Sequence, residues 1–116
     1  MSVALNPEQA LRLWHDVNLT LVRDNKPDLS SRQISILLTV YLEAPPHTVR
    51  GLADKLGVSK PVITRALDAM GKLDLVNRRR DQDDRRNVLV QRTVEGALYL
   101  EHLADMVCEH ARNQHP

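Results

Sequence analysis

Lys60, Thr64 and Arg65 are the residues whose types and spacing carry the most chemistry, and it is the chemistry of holding a polyanion. Ser59 and Lys60 fall at the start of an expected helix, where free backbone amides already favour a phosphate. Arg65 has the fork that pairs with guanine, and Thr64 can bond a base edge or touch a thymine methyl. Thr48 and Arg50, at the start of the preceding helix, are candidate contacts to a nucleic-acid backbone. The competing reading of Arg65 is a surface charge paired with Asp68 three residues on.

Bond-making chemistry has no comparable support. The chain shows no nucleophile motif, no Gly-rich phosphate loop and no paired-carboxylate site, so no enzyme is expected. His47 sits between Pro46 and Thr48 and reads as loop. Cys108 with His102 and His110 invites a metal or redox reading. The histidines are two turns apart and lack the tight ligand spacing of a metal site. They are read as surface histidines beside a small buried or interface thiol, with no metal and no cofactor.

The elements that must position Lys60 to Arg65 are legible around them. Thr48 is placed to cap a helix with the apolar stripe Leu52, Ala53 and Leu56. Gly57 stops it, because the position after a helix often needs positive φ. Ser59 caps a second helix, Pro61 fits its first turn, and Val62, Ile63, Ala66, Leu67 and Met70 form its inner side. Two short helices joined this way are either a helix-turn-helix or two core helices of an all-α domain. This stretch leaves both readings open.

The flanking segments favour the first. Asn6-Pro7-Glu8-Gln9 starts a helix that reaches about Asp24, with Leu11, Trp14, Val17, Leu21 and Val22 on one side. Ser30, with Gln33 placed for a capping box, opens another with Ile34, Leu37, Leu38 and Tyr41 as its core face. Leu75–Arg80 and Asn87–Arg92 each fit a strand, and the charged loop between them makes a hairpin. Val88 and Val90 share its inward face. Thr93 then caps a last helix with the stripe Ala97, Leu100, Leu103, Ala104, Val107 and Ala111. A helix-turn-helix followed at once by a hairpin is a winged helix, mainly α with a small β element. The hairpin adds a second contact to a duplex through basic residues. The whole of 1–116 is expected to be one domain: helix-turn-helix at 48–73, wing at 75–92, and flanking helices at 6–24 and 94–112.

Charge distribution points the same way. Net charge is only +1. Yet Arg50–Arg92 holds eleven basic and six acidic residues, a net +5 gathered where the paired helices lie. That is the footprint of a phosphate-binding surface. Phe is absent and Trp14, Tyr41 and Tyr99 are the only aromatics, which argues against base stacking on single strands. A single cysteine, no visible signal peptide and no membrane-length apolar run lead to the expectation of a cytoplasmic protein.

Four motifs resemble the multiple antibiotic resistance regulator (MarR) family of bacterial transcription regulators. Leu29-Ser30-Ser31-Arg32-Gln33-Ile34-Ser35-Ile36-Leu37 is similar to the family's L-T-x-x-Q-x-x-x-L. Leu52-Ala53-x-x-Leu56-Gly57-Val58-Ser59, followed by Ile63-Thr64-Arg65-Ala66-Leu67, resembles its helix-turn-helix. Asp84-Arg85-Arg86 resembles the wing's D-x-R, and Thr93-Val94-Glu95-Gly96 the T-x-x-G. The resemblance implies a homodimeric regulator on a pseudo-palindromic DNA duplex, and the leading expectation is a repressor. Ser59, Lys60, Pro61, Thr64 and Arg65 would then face the major groove. Arg86 would enter the minor groove, oriented by Asp84, and Arg85 would reach a phosphate. Family members often bind a small-molecule effector; the scarcity of aromatics leaves such a pocket unsupported, and the effector unknown. Arg79 and Arg80 are read as solvated.

Four departures bear on these expectations. Asp74 stands where the family has Gly, which could reshape that turn. Arg92 replaces a Leu and points inward by alternation, so it must snorkel or find an acidic partner. Pro61 stiffens the first turn of the recognition helix. The chain ends at Pro116, before the family's longer dimer region is complete. That shortening, with the near-neutral total charge, motivates a second reading: a winged-helix protein-interaction module, an adaptor or antagonist that does not itself bind DNA.

Overall fold

The computed structural model describes residues 4–114. Its elements are α1 (Pro7–Arg23), α2 (Ser31–Leu42), α3 (Val49–Leu56), α4 (Lys60–Lys72), β1 (Val76–Arg80), β2 (Val88–Arg92) and α5 (Val94–Arg112). Two compact units emerge. One is Leu29–Leu100; the other takes the chain up to Asp28 and from Glu101 onward.

Leu29–Leu100 is a winged helix-turn-helix. Its α2 starts on a full capping box: Ser30 Oγ accepts from Gln33 N at 3.1 Å, and Gln33 Oε1 accepts from Ser30 N at 2.8 Å. Thr48 Oγ1 accepts from Gly51 N at 2.9 Å and so caps α3. Gly57 ends α3 at φ 69°, the left-handed region that a residue without Cβ enters at least cost. Ser59 holds the N-cap position of α4, but its hydroxyl makes no capping bond. The expected side-chain cap is therefore absent; Pro61 has no N–H, Val62 N and Ile63 N donate to Ser59 O at 3.2 and 3.3 Å, and the Lys60 N–H is left for another partner.

The core forms where α2, α3 and α4 meet the wing. Ile36, Leu37, Val40, Ile63, Leu67 and Met70 are wholly buried. On α2 the buried face is turned from the expected one: Ile36 and Val40 join Leu37, while Ile34, Leu38 and Tyr41 are only half-buried. An apolar run on nearly all sides cannot say which side wins; packing against α4 decides it.

The turn after α4 keeps its shape without the usual glycine. Asp74 adopts φ 58°, Asp74 N donates to Gly71 O at 3.0 Å, and Leu75 N donates to Met70 O at 3.0 Å. This is the double bond pattern of a Schellman end, with Met70 and Leu75 both buried behind it. Asp tolerates the left-handed region better than most residues, so the substitution costs strain rather than the turn.

β1 and β2 pair antiparallel, with Val76 opposite Arg92 and Arg80 opposite Val88. The segment before α3 adds a short third edge: Val90 N donates to His47 O at 2.8 Å, and Thr48 bridges Leu89. Val90 is buried, as its alternation predicts. Arg92 solves its inward position without a carboxylate. Its Nε donates to Val40 O at 3.0 Å and its guanidinium lies 5.6 Å from the centre of the Tyr41 ring. Arg80 is not a free solvated charge either, because its Nη1 donates to Arg85 O at 2.7 Å and closes the wing loop.

Tyr41 fastens the start of α5. Its hydroxyl donates to Thr93 O and accepts from Thr93 N, each at 2.8 Å. Thr93 Oγ1 donates to Asp74 O at 2.6 Å and accepts from Gly96 N at 2.9 Å, so it caps α5 as expected.

In the second unit α1 also starts on its expected capping box, Asn6 with Gln9. Of its expected apolar face only Val17 is buried; Leu11 is 71% exposed, Trp14 64% and Val22 66%. On α5 the buried residues are Gly96, Tyr99 and Met106, whereas Ala97 and Ala104 of the expected stripe are exposed. Counting only apolar side chains missed this face because it carries polar tips. His102 Nε2 meets Asp24 Oδ2 at 2.6 Å, and His110 Nε2 meets Thr20 Oγ1 at 2.9 Å. The histidines are thus half-buried ties, and the bond from His102 holds the Asp24 carboxyl below its usual pKa. Cys108 is exposed, not buried within the chain. Among the described residues no three His, Cys, Asp or Glu are grouped to hold a metal. No described helix is long and apolar enough to cross a membrane.

Candidate nucleic-acid interface

The apolar side of α4 is locked into the core by Ile63, Ala66, Leu67 and Met70, and that alone dictates what its other side shows. Lys60, Pro61, Thr64, Arg65 and Asp68 are all exposed. A helix spacing of three and four residues places Lys60, Thr64 and Asp68 along one line, with Pro61 and Arg65 beside it. The Arg65 side chain forms no hydrogen bond or ion pair with any described residue. Its expected competitor is engaged elsewhere: Asp68 Oδ1 accepts from Arg78 Nη2 at 2.7 Å. The reading of Arg65 as half of a surface ion pair therefore fails.

The wing loop is built by its own acids. Asp81 Oδ1 accepts from Asp83 N at 2.9 Å, Asp81 N donates to Asn87 O at 3.0 Å, and Asn87 N donates to Asp84 O at 2.9 Å. At its tip Asp84 grips Arg86 with both oxygens. Arg86 Nε donates to Oδ1 at 3.0 Å, Nη2 to Oδ2 at 3.1 Å, and the Arg86 backbone N–H to Oδ1 at 3.1 Å. The fork geometry fixes the guanidinium's direction while leaving its side chain 85% exposed.

These bonds hold the Asp84 carboxyl below its usual value: first the Arg86 side chain, then the Arg86 backbone N–H, with the charge of Arg50 adding to both. Asp84 in turn raises the Arg86 pKa. A carboxylate depressed in the folded state contributes stability that is present above its unfolded pKa and lost as pH falls through the lower folded value. The wing tip should therefore stay assembled through mildly acidic solution. A carbon NMR titration of the Asp84 carboxyl should give a midpoint below 3.8, the ordinary value. A midpoint at or above it would mean that the Arg86 clasp does not persist in solution.

The two parts face each other across a cleft of about 210 Å³ lined by Val49, Arg50, Lys60, Thr64, Arg86, Asn87 and Val88. It brings together Lys60 and Thr64 from α4, Arg86 from the wing and Arg50 from the start of α3. Three cations around one hydroxyl-bearing cleft make a local positive field fitted to a phosphate backbone. Ser59, Pro61, Arg65 and Arg85 are exposed outside it. Thr48 is the exception among the candidates. It is half-buried, its oxygen is used in the α3 cap, and it lines a different cleft with Glu43 and Lys55, which form an ion pair at 2.8 Å.

Sequence reasoning missed the Asp68–Arg78 pair and the contact of Gly96 with Tyr41. Arg78 shares a face of the hairpin with Val76 and with Val90, its cross-strand partner, but only the placing of the strand against α4 shows that it reaches Asp68.

The model of the MarR family matches residues 29–88, just over half of the chain. This protein belongs to the MarR family. Members of the family are transcription regulators, and solved MarR-family structures share the fold. A point mutant of MepR from S. aureus aligns with a TM-score of 0.76 at 17% identity, over 95% of this chain and 82% of that one. A mutant MarR from E. coli complexed with operator DNA aligns at 0.71 and 24%, over 92% and 74%. BldR from Sulfolobus solfataricus, a transcriptional regulator, aligns at 0.65 and 28%, over 87% and 68%. No curated protein sequence matches the chain. The four motifs that resemble the MarR family lie largely inside the matched span, and the helix-turn-helix and wing stand where those motifs imply.

Proposed function

We propose that this MarR-family protein is a sequence-specific double-stranded DNA-binding repressor that works as a homodimer. The observation that carries the reading is the pairing of an unpartnered Arg65 on the open side of α4 with a pre-aimed Arg86 across the adjoining cleft. In this reading α4 enters the major groove with Thr64 and Arg65 at base edges. Ser59, Lys60 and Pro61 lie against the backbone, where the Lys60 N–H and the positive end of α4 favour a phosphate. Arg86 enters the minor groove, held by Asp84, while Arg85, Thr48 and Arg50 touch phosphates. The solved relative complexed with operator DNA supports this use of the fold.

Dimerisation is assigned to the helices at 6–24 and 94–112. Leu11, Trp14 and Leu98, the last 53% exposed, are large apolar side chains without cover in a single chain, and a second copy would bury them. Such a dimer presents two recognition helices one helical turn of DNA apart.

Selection of bound duplexes from a random pool tests the reading. It should enrich an inverted repeat, with affinity that falls steeply as salt rises. Enrichment of nothing, or binding indifferent to salt, would overturn it. Changing Arg65 to Ala should cost about 1–3 kcal/mol at one base position per half-site and relax the preference there.

A further inference from the structure

We infer that Arg78 is a positioning residue for base recognition: it masks the Asp68 carboxylate so that Arg65 stays free for DNA. The inference rests on the proposed role of Arg65 and names a device that serves it. Arg65 and Asp68 are three residues apart on α4, the spacing at which opposite charges meet on a helix surface. With no other partner they would form that pair, and the guanidinium would be held along the helix instead of pointing to a base edge. The carboxylate has a second adverse effect. It sits in line with Lys60 and Thr64 on the side of α4 meant for a polyanion, where an uncompensated negative charge repels phosphate.

The structure disposes of both problems with one bond. Arg78 reaches from β1, ten residues away in sequence, and its Nη2 donates to Asp68 Oδ1 at 2.7 Å. The Arg78 side chain is 32% exposed and that of Asp68 53%, so the pair lies at the surface with the arginine the better covered of the two. Arg65 is left with no partner among the described residues. The neighbouring Arg79 pairs with Leu89 through its backbone, but its exposed side chain forms no hydrogen bond or ion pair with any described residue, so it contributes charge alone and serves as the control.

The test is a set of affinities, by fluorescence anisotropy, for the selected duplex and for the same duplex altered at the base that Arg65 reads. Arg78→Ala should bind the selected duplex on the order of fivefold more weakly, the sum of a weak helical pair and the unmasked charge. Arg79→Ala should lose less. Asp68→Asn should bind as tightly as the parent or tighter, and Asp68→Asn with Arg78→Ala should return to within about twofold of the parent. In an Arg65→Ala background the loss on removing Arg78 should shrink, because only the repulsion by the unmasked Asp68 remains. Arg78→Lys, which keeps the charge, should retain most of the affinity, and gives the same comparison if the alanine variant folds poorly. If Asp68→Asn is as weak as Arg78→Ala, the pair is only a staple between β1 and α4 and the inference falls. It also falls if the double variant is no better than Arg78→Ala, or if Arg78→Ala matches Arg79→Ala. Unchanged binding by Arg65→Ala would overturn the proposed base contact itself. A normal loss there beside an unaffected Arg78→Ala overturns this inference alone.

Discussion

Gly96→Ala should destabilise the protein by about 3 kcal/mol, the upper end of what overpacking usually costs. A Cβ at Gly96 would run into the Tyr41 hydroxyl and the Leu75 carbonyl. One of these is backbone and cannot swing aside. The other is the hydroxyl that bonds both the N–H and the C=O of Thr93, so moving it breaks two hydrogen bonds. Thermal unfolding should shift down by roughly 10 °C or more, given about 4 °C or more per kcal/mol in a domain of this size. Gly71→Ala is the matched control. It sits in the last turn of α4, with nothing within 4 Å of an added Cβ and no positive φ. There the same substitution should stabilise, by about 0.5–1 kcal/mol, because alanine loses less freedom on entering a helix. Opposite signs in the two melts are the expected result; a tolerated Gly96→Ala would mean that α5 does not approach Tyr41 this closely.

Removing Arg65 and Arg86 together should reduce DNA affinity on the order of a thousandfold. Arg65 is worth about 1–3 kcal/mol as a base contact. Arg86, a charged donor aimed in advance, is worth about 1.5–3 kcal/mol. They sit on separate elements and share no partner, so their losses should add. The single variants should differ in kind. Arg65→Ala should lose discrimination at one base position, whereas Arg86→Ala should weaken binding across many sequences and flatten the salt dependence. Asp84→Ala should fall between the parent and Arg86→Ala, because it leaves the guanidinium in place but unaimed. Anisotropy at several salt concentrations separates these outcomes. Equal affinity of parent and Arg86→Ala would remove the wing from the interface.

Much of the scaffold for these residues was written locally. The capping boxes at Asn6 and Ser30, the Thr48 cap, the left-handed Gly57 and the Thr93 cap each depend on residues a few positions apart, so their chemistry can be read from neighbours. The wing clasp is equally local, with Asp84 and Arg86 two residues apart. Where reading failed, the reason was distance along the chain. Ile36 and Val40 rather than Ile34 and Leu38 face inward because α2 is rotated by its packing. His102 and His110 turn inward because Asp24 and Thr20, far off in sequence, supply their partners. Arg92 needed no acid because Val40 and Tyr41 lay beneath it.

The sequence by itself determined the order of elements, the winged helix-turn-helix, the concentration of positive charge in its middle and the MarR-type motifs that sit there. These follow from short-range periodicity, capping and turn chemistry. Only the tertiary structure decided which charges are spoken for. Asp68 goes to Arg78 and not to Arg65, Arg80 closes the wing, and Arg50, Lys60 and Arg86 come to share one cleft. An ion pair depends on which side chains are brought within a few ångströms, and that is set by how strand and helix pack, not by their spacing along the chain.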